Sequence, residues 1–440
     1  MKENTRPFPE WWKKSVVYQI HLRTFTKEGT LKAAEEKLEH VASTGADFVY
    51  LCPVVLSDDD MNEDNWSKRQ RASGSGNPKN SYRISDYFEI DPEYGNEADL
   101  DSFVKKAHAL GLKVMLDLVY MHCGPKAKMI DEHPDFVKRN EDGSLALNSY
   151  AFATINFDNS KLCKYLQDNM VYFAEKFDID GYRLDVGDRC PLDFWCEGAR
   201  RVREIKPEFI FLNEGRLPEF VRDFCDANYG LDWTYYAVRD VFGGKFDATK
   251  IKEQWEKDFD LLPAGALQCR AYENHDTSND AYENRLEKVN GASCGELALA
   301  LNFTIDGVPY IYNGNELADC GRHSFFCNRF HGGYFGIDWS RADDEVAKRR
   351  MELLCKLVEL KRSERALFDG KVEWNDTEIP EKICSFSRIA DVEKVTFIGN
   401  FSKEAVECAY EDGKVLLSSG AETKDGRLTL APYGYMIIKK

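Results

Sequence analysis

The sequence predicts an α/β protein: a (β/α)8 TIM barrel, a small subdomain inserted after its third strand, and a small antiparallel β domain at the C-terminus. Three observations predict it. Short apolar runs alternate with amphipathic helical segments, which implies a mostly parallel sheet, because parallel strands need long crossovers. Eight strand candidates precede residue 320, the number that closes a barrel. Past residue 367 the texture changes to short alternating runs separated by turns, the pattern of an antiparallel sheet.

The elements follow in order. VVYQIHL (16–22) is the first strand candidate, followed by the helical LKAAEEKLEHVAS. DFVYLCPV (47–54) is the second. The charged, Gly/Ser-rich stretch 57–81 then reads as a mobile surface loop for most of its length. A helical EADLDSFVKKAHALG leads into the third strand, LKVMLDLVY (112–120). Residues 121–159 are too long for a plain connection and carry the turn signals HPDF, NEDGS and INFDN, so a subdomain is expected there. IDGYRLDV, FIFLNEG (209–215), a weaker CDANYGLDW (225–233), LQCRAYENHD (267–276) and VPYIYNG (308–314) complete the eight. A long helix pattern, 347–367, ends the barrel, which takes residues 1–120 and 160–367 and leaves 368–440 for the C-terminal domain. No internal repeat of fixed period is present.

Composition narrows the function. The chain has 440 residues, 43% of them hydrophobic, enough to bury a sizeable core. A net charge of −17 argues against nucleic acid as a partner. No apolar run has the length of a membrane span, and the N-terminal MKENTRPFPEWWKK lacks the apolar core of a signal peptide. Thirteen cysteines without a CxxC pair predict reduced thiols and a cytoplasmic setting; a chain whose export signal had been removed would read the same.

The chemistry is expected where barrel strands end at their C-terminal face. In GYRLDVGD, Arg183 and Asp185 are two apart and share a face, so the arginine is placed to keep the carboxylate ionised. The third strand carries Asp117 and then His122, the fifth ends in Glu214, and the seventh ends in His275 and Asp276. Any one of them reads equally well as a helix cap or a solvated acid. Three carboxylates converging on one funnel with an arginine and two histidines read as an active site. Without a thiol–histidine set, a phosphate loop or a dinucleotide fingerprint, paired carboxylates point to glycosidic bonds. Asp185 suits an ionised nucleophile; Glu214, after the apolar FIFLN, suits a carboxyl raised by a drier setting. Asp276, His122 and His275 are candidates for binding sugar hydroxyls, and His21 and Arg23 stand near the first strand end. Zinc-ligand spacing is absent. Trp11, Trp12 and Trp66 read as packing before sugar platforms, as do two of Phe325, Phe326 and Phe330.

These motifs resemble the α-amylase family of glycoside hydrolases over nearly the whole chain. DLVYMH (117–122), GYRLDV (181–186), FLNEG (211–215) and ENHD (273–276) match its four ordered regions. YRISDYFEIDPEYG is similar to its tyrosine-containing segment, and YNGNE to its eighth strand end. The resemblance implies Asp185 as nucleophile, Glu214 as general acid/base and Asp276 as transition-state stabiliser. It also implies that Arg183 orients Asp185, that His122, His275 and Tyr82 line the −1 sugar subsite, and that the C-terminal domain is a β-sandwich. Three positions depart. Met121 replaces the asparagine that usually binds the family's structural calcium, and a thioether is a poor calcium ligand, so no metal or other cofactor is expected. Arg83 stands where the family usually has Asp. Val186 follows the nucleophile, where a valine is common in relatives cutting α-1,6 bonds, although a β-branched residue in a strand needs no functional reason.

The expected function is therefore retaining hydrolysis of α-glucosidic bonds in malto- or isomalto-oligosaccharides through a covalent glycosyl-aspartate. A transglycosylase or sucrose-type glucosyltransferase shares the triad and is the alternative within enzymes. A non-catalytic sugar-binding protein is the remote alternative, since amylase-like chains of that kind usually lack triad members.

Overall fold

The computed structural model describes residues 2–280 and 282–440. Eight parallel strands form the barrel: β1 (Val17–Ile20), β2 (Phe48–Leu51), β3 (Lys113–Leu118), β4 (Gly181–Leu184), β5 (Ile210–Asn213), β6 (Ala227–Asn228), β7 (Cys269–Arg270) and β8 (Val308–Tyr312). Neighbours run in the order β6-β5-β4-β3-β2-β1-β8-β7. A parallel bridge between Asn228 and Gln268 joins the two ends of that path into a ring. The strands are shorter than the apolar runs that announced them. β7 keeps only two residues, because the chain after Arg270 leaves the ladder for the polar ENHD turn.

Both faces of these strands are buried, so they read as continuous apolar runs rather than alternating ones. Alternate residues still do different work. Tyr18, Val49, Val114, Leu116, Tyr182 and Phe211 point outward into the layer beneath the helices. Val17, Phe48, Met115, Ile210, Leu212 and Tyr310 fill the barrel interior, with Trp12 from the N-terminal helical turn packed among them. Gly181 is required there: a Cβ would meet the Ile210 carbonyl at 2.9 Å and the Met115 methyl at 3.0 Å. Toward the C-terminal ends the interior positions turn polar, at Gln19, Asp117 and Arg183, all buried.

Two excursions rise from the C-terminal face. Between β2 and the next helix, residues 57–81 were expected to be a mobile loop; instead they fold. A helical turn (Glu63–Asn65), a short helix (Lys68–Ala72) and several side chain–backbone bonds order them. Arg83, fully buried, is the hub: its guanidinium donates to the carbonyls of Asn65 (3.0 Å), Asp58 (3.1 Å), Asp60 (3.2 Å) and Pro78 (2.8 Å). The second excursion, after β3, pairs His122–Cys123 with Ala153–Thr154 and carries a helix at Lys128–Glu132.

The C-terminal domain is antiparallel. Its strands are β9 (Lys371–Trp374), β10 (Ile383–Ala390), β11 (Glu393–Asn400), β12 (Val406–Ala409), β13 (Lys414–Lys424) and β14 (Arg427–Lys439). The long β14 pairs with β11 through one half and β12 through the other. One face, with Phe386, Phe397 and Ile437, joins the main core; the other, with Ile398, Leu430 and Ile438, encloses a smaller core of its own. Among the described residues, no helix is long and apolar enough to cross a membrane.

Candidate active site

One buried arginine organises the floor of the barrel mouth. Parallel register sets Arg183 of β4 directly beside Asp117 of β3. Arg183 Nη1 donates to Asp117 Oδ1 at 2.8 Å and to Asp185 Oδ1 at 2.9 Å. Its Nη2 lies 2.6 Å from Glu214 Oε2, an ion-pair distance, though out of line for a hydrogen bond. Asp117 also accepts from the hydroxyls of Tyr50 (2.5 Å) and Tyr82 (3.1 Å), so it is a fully bonded support rather than a free base. Four carboxylates at this mouth, counting Asp276, share a single buried guanidinium below and Arg69 above.

Asp185 stands one residue past the end of β4, its N–H bonded to the Leu118 carbonyl at 2.9 Å. Val186 then enters the left-handed region at φ +43°, a conformation that costs a β-branched residue about 1–3 kcal/mol. The strand reading of Val186 is thus corrected. Its backbone turns the N–H toward Glu214 Oε2, 2.8 Å away, and its side chain lines the pocket.

Burial raises the Glu214 carboxyl to about 7, even though Arg183 and the Val186 N–H oppose the shift. Burial also pushes Asp185 well above the usual carboxylate range; Arg183 pulls it down, while Glu214 and Asp117 push it up. The expectation that Arg183 alone holds Asp185 ionised is therefore incomplete, because one guanidinium is divided among three acids. Asp185 and Glu214 titrate as a coupled pair, with protons leaving in two steps that belong to both.

Asp276 sits in the first turn of a short helix (His275–Ser278) capped by Asn274. Burial works against its charge, yet His275, Arg69 and Arg183 hold it down at about 2. Arg69, from the folded 57–81 segment, donates Nη1 to Asp276 Oδ1 at 2.7 Å. His275 is lowered to about 4, mainly by burial, and is neutral at pH 7. The Gln19 amide lies 2.7 Å from its Nδ1, so Nδ1 accepts and Nε2–H is left to meet the Tyr82 hydroxyl at 2.7 Å. A relay thus runs from Gln19 through His275 and Tyr82 to Asp117. His122 is also lowered to about 4 by burial; Asn148 donates to its Nδ1, and its Nε2 bonds the Tyr82 carbonyl. Both its nitrogens are engaged by protein, so it orients Tyr82 and the insertion more than it offers a hydroxyl partner.

These side chains line a cavity of about 230 Å3. Of the residues singled out in the sequence, Asp185, Glu214, Asp276, Tyr82, His122 and His275 line it, with Arg183 just beneath. Arg83 does not reach it. Trp12 and Trp66 are core residues, and Phe325 and Phe326 are buried at the rim, whereas Phe330 is 65% exposed. Missed from the sequence were Arg69, Tyr150, Phe152 and Tyr235. Tyr235 belongs to a seven-residue π-helix (Trp233–Arg239), a form found often at functional sites, but nothing in WTYYAVR signals it. At the calcium position, Met121 packs on the hydrophobic core, while Asp58 meets Arg83 and Asp60 meets Lys126. Among the described residues, no group of three or more His, Cys, Asp or Glu is placed to hold a metal ion.

The family model for the α-amylase catalytic domain matches residues 8–143 and 138–386. The chain belongs to the α-amylase family of glycoside hydrolases. It is 26% identical over 439 residues to α-amylase MalA of Haloarcula japonica, an alignment that covers 94% of this chain and 60% of that protein. It is 26% identical over 498 residues to a cyclomaltodextrinase of Geobacillus thermopakistaniensis, covering 98% and 77%. The noncanonic maltogenic α-amylase AmyB of Thermotoga neapolitana shares the fold, with a TM-score of 0.80 at 23% identity over 97% of this chain and 99% of that one.

Proposed function

We propose that this protein hydrolyses α-glucosidic bonds in short malto- or isomalto-oligosaccharides with retention of configuration. The observation that carries the proposal is the shared guanidinium: Asp185 and Glu214 both touch Arg183, at 2.9 and 2.6 Å. Carboxyls held by one guanidinium are near neighbours, which favours the spacing of a retaining pair, about 5–5.5 Å, over the roughly 6.5–9.5 Å that leaves room for a water in an inverting one. Asp185 attacks the anomeric carbon as Glu214 gives its proton to the leaving oxygen, and a glycosyl ester forms on Asp185. Glu214, now ionised, takes a proton from water; the water oxygen attacks the same carbon and Asp185 leaves. Asp276, ionised at any working pH, holds sugar hydroxyls and offsets the positive charge that develops on the ring. The names of the relatives, an amylase and a cyclomaltodextrinase, support α-glucans as the substrate class. The thirteen free cysteines support a cytoplasmic setting.

Product analysis on maltotriose, isomaltotriose, panose and sucrose tests this. Cleavage of isomaltotriose and panose but not maltotriose would make Val186 an α-1,6 determinant; cleavage of maltotriose would make it a packing residue. Products longer than the substrate would mean glycosyl transfer to sugar in place of water. No turnover of any of the four would sink the proposal.

A further inference from the structure

The pocket has two unlike sides. In the barrel ring, β5 stands opposite β1. Glu214 follows β5, and an acid that protonates the leaving oxygen must stand beside the leaving group. The leaving-group side of the pocket is therefore the side of β4 to β6, where Val186 and Tyr235 line it. The loops after β2 and β8 flank β1, across the ring from Glu214, and bring in Arg69, Phe325 and Phe326.

Those two loops are stapled into one wall. Asn77 Nδ2 donates to the Phe326 carbonyl at 2.9 Å. Arg23 Nη1 reaches the carbonyls of both Lys79 (3.2 Å) and Phe325 (2.7 Å), while its other nitrogens pair with buried Glu93. The His21 ring stacks on Phe325 at 5.1 Å between centroids. Arg69 completes the wall: its guanidinium lies 5.6 Å from the Phe325 ring centre and is bonded to Asp276, with half of the side chain still facing solvent. The helix that carries it is capped by Ser67 and held by Gln70, which donates to the carbonyls of Asn77 and Pro78. As a stability device a half-exposed ion pair is weak. Its consequence is steric: an enzyme that cuts in the middle of a polymer needs a groove running past the catalytic acids on both sides, and here Arg69, Phe325 and Phe326 line the far side.

We infer that Arg69 and Phe325 close the pocket on the side away from Glu214, so that only the terminal sugar at the non-reducing end of a chain fits and is released as a monosaccharide. Arg69 is then a specificity-determining residue that faces the hydroxyls of that terminal ring. The inference rests on the hydrolase reading above and adds the mode of attack to it.

The test compares one substrate in two forms: whichever short oligosaccharide the wild type turns over, with its non-reducing end free or capped by a cyclic acetal. The wild type should release monosaccharide first from the free form and cut the capped form at least about 100-fold more slowly. A cyclomaltodextrin, which has no end, should resist in the same way. Arg69→Ala should narrow the capped-to-free ratio by about tenfold or more. Because both rates are read on the same enzyme, any loss of turnover through Asp276 cancels. Equal cleavage of the capped and free forms by the wild type would overturn the inference and leave the hydrolase standing. No turnover of maltotriose, isomaltotriose, panose or sucrose would overturn the hydrolase reading and the inference with it. The wild-type comparison decides even if the variant does not fold.

Discussion

The floor of the pocket and its wall are built by different physics. Asp117 and Arg183 sit on paired strands, and Asp185 and Glu214 one residue beyond, so the parallel ladder places them before any side chain interacts. Arg69 and Phe325 sit on long excursions outside the barrel ladder and are held by arginines and an asparagine bonded to carbonyls. The floor gains rigidity from the scaffold and gives up freedom to vary. The wall keeps that freedom and needs local braces such as Arg83. Chemistry on the first and selection on the second is the division that a barrel with eight adjustable loops permits.

The sharpest way to break the comparison is at the floor. Asp185→Asn removes the attacking oxygen charge, and turnover should fall by about 10^4-fold or more with an unchanged circular dichroism spectrum. Wild-type-like activity would end the assignment. Glu214→Gln should cost about 10^2–10^4-fold on natural oligosaccharides and far less on an aryl glucoside whose leaving group needs no proton. The same pair sets the alkaline limb. Catalysis needs one proton held between Asp185 and Glu214, and burial raises both carboxyls, so kcat/KM should fall as pH rises past the loss of that shared proton, and Glu214→Gln should abolish that limb.

Smaller effects sharpen the other side. Arg83→Met removes the donor that four carbonyls share and the guanidinium beside buried Asp58, and should destabilise the protein by about 3 kcal/mol in urea titration. If Arg83 braces the wall, that variant should also narrow the capped-to-free ratio while Asp185 and Glu214 stay in place. A ratio equal to wild type would mean that the wall stands without its hub. Smallest is Val186→Gly: relief of the left-handed strain offsets the extra chain entropy of glycine, so stability should change by no more than about 1 kcal/mol in a melting experiment. A loss well beyond that would return Val186 to ordinary packing.

Much of this was legible in the residues. The alternation of apolar runs and amphipathic segments determined a barrel with a C-terminal antiparallel domain, because strand and helix periods are local properties of the chain. The polar residues ending those runs determined that Asp185, Glu214, Asp276, Arg183 and the two histidines would meet, because a closed ring brings all its strand ends to one mouth; Tyr82 was implied only by the family resemblance. Tertiary structure alone decided the rest. Arg69 meets Asp276 across 207 positions, and two loops without any shared pattern meet at Phe325. The division of Arg183 among three acids, the raised carboxyl of Glu214 and the left-handed turn at Val186 depend on burial and on the distance between groups from different strands. Periodicity tells which way a side chain points along its own element; what stands opposite it, and how little water lies between, is set only when the ring closes.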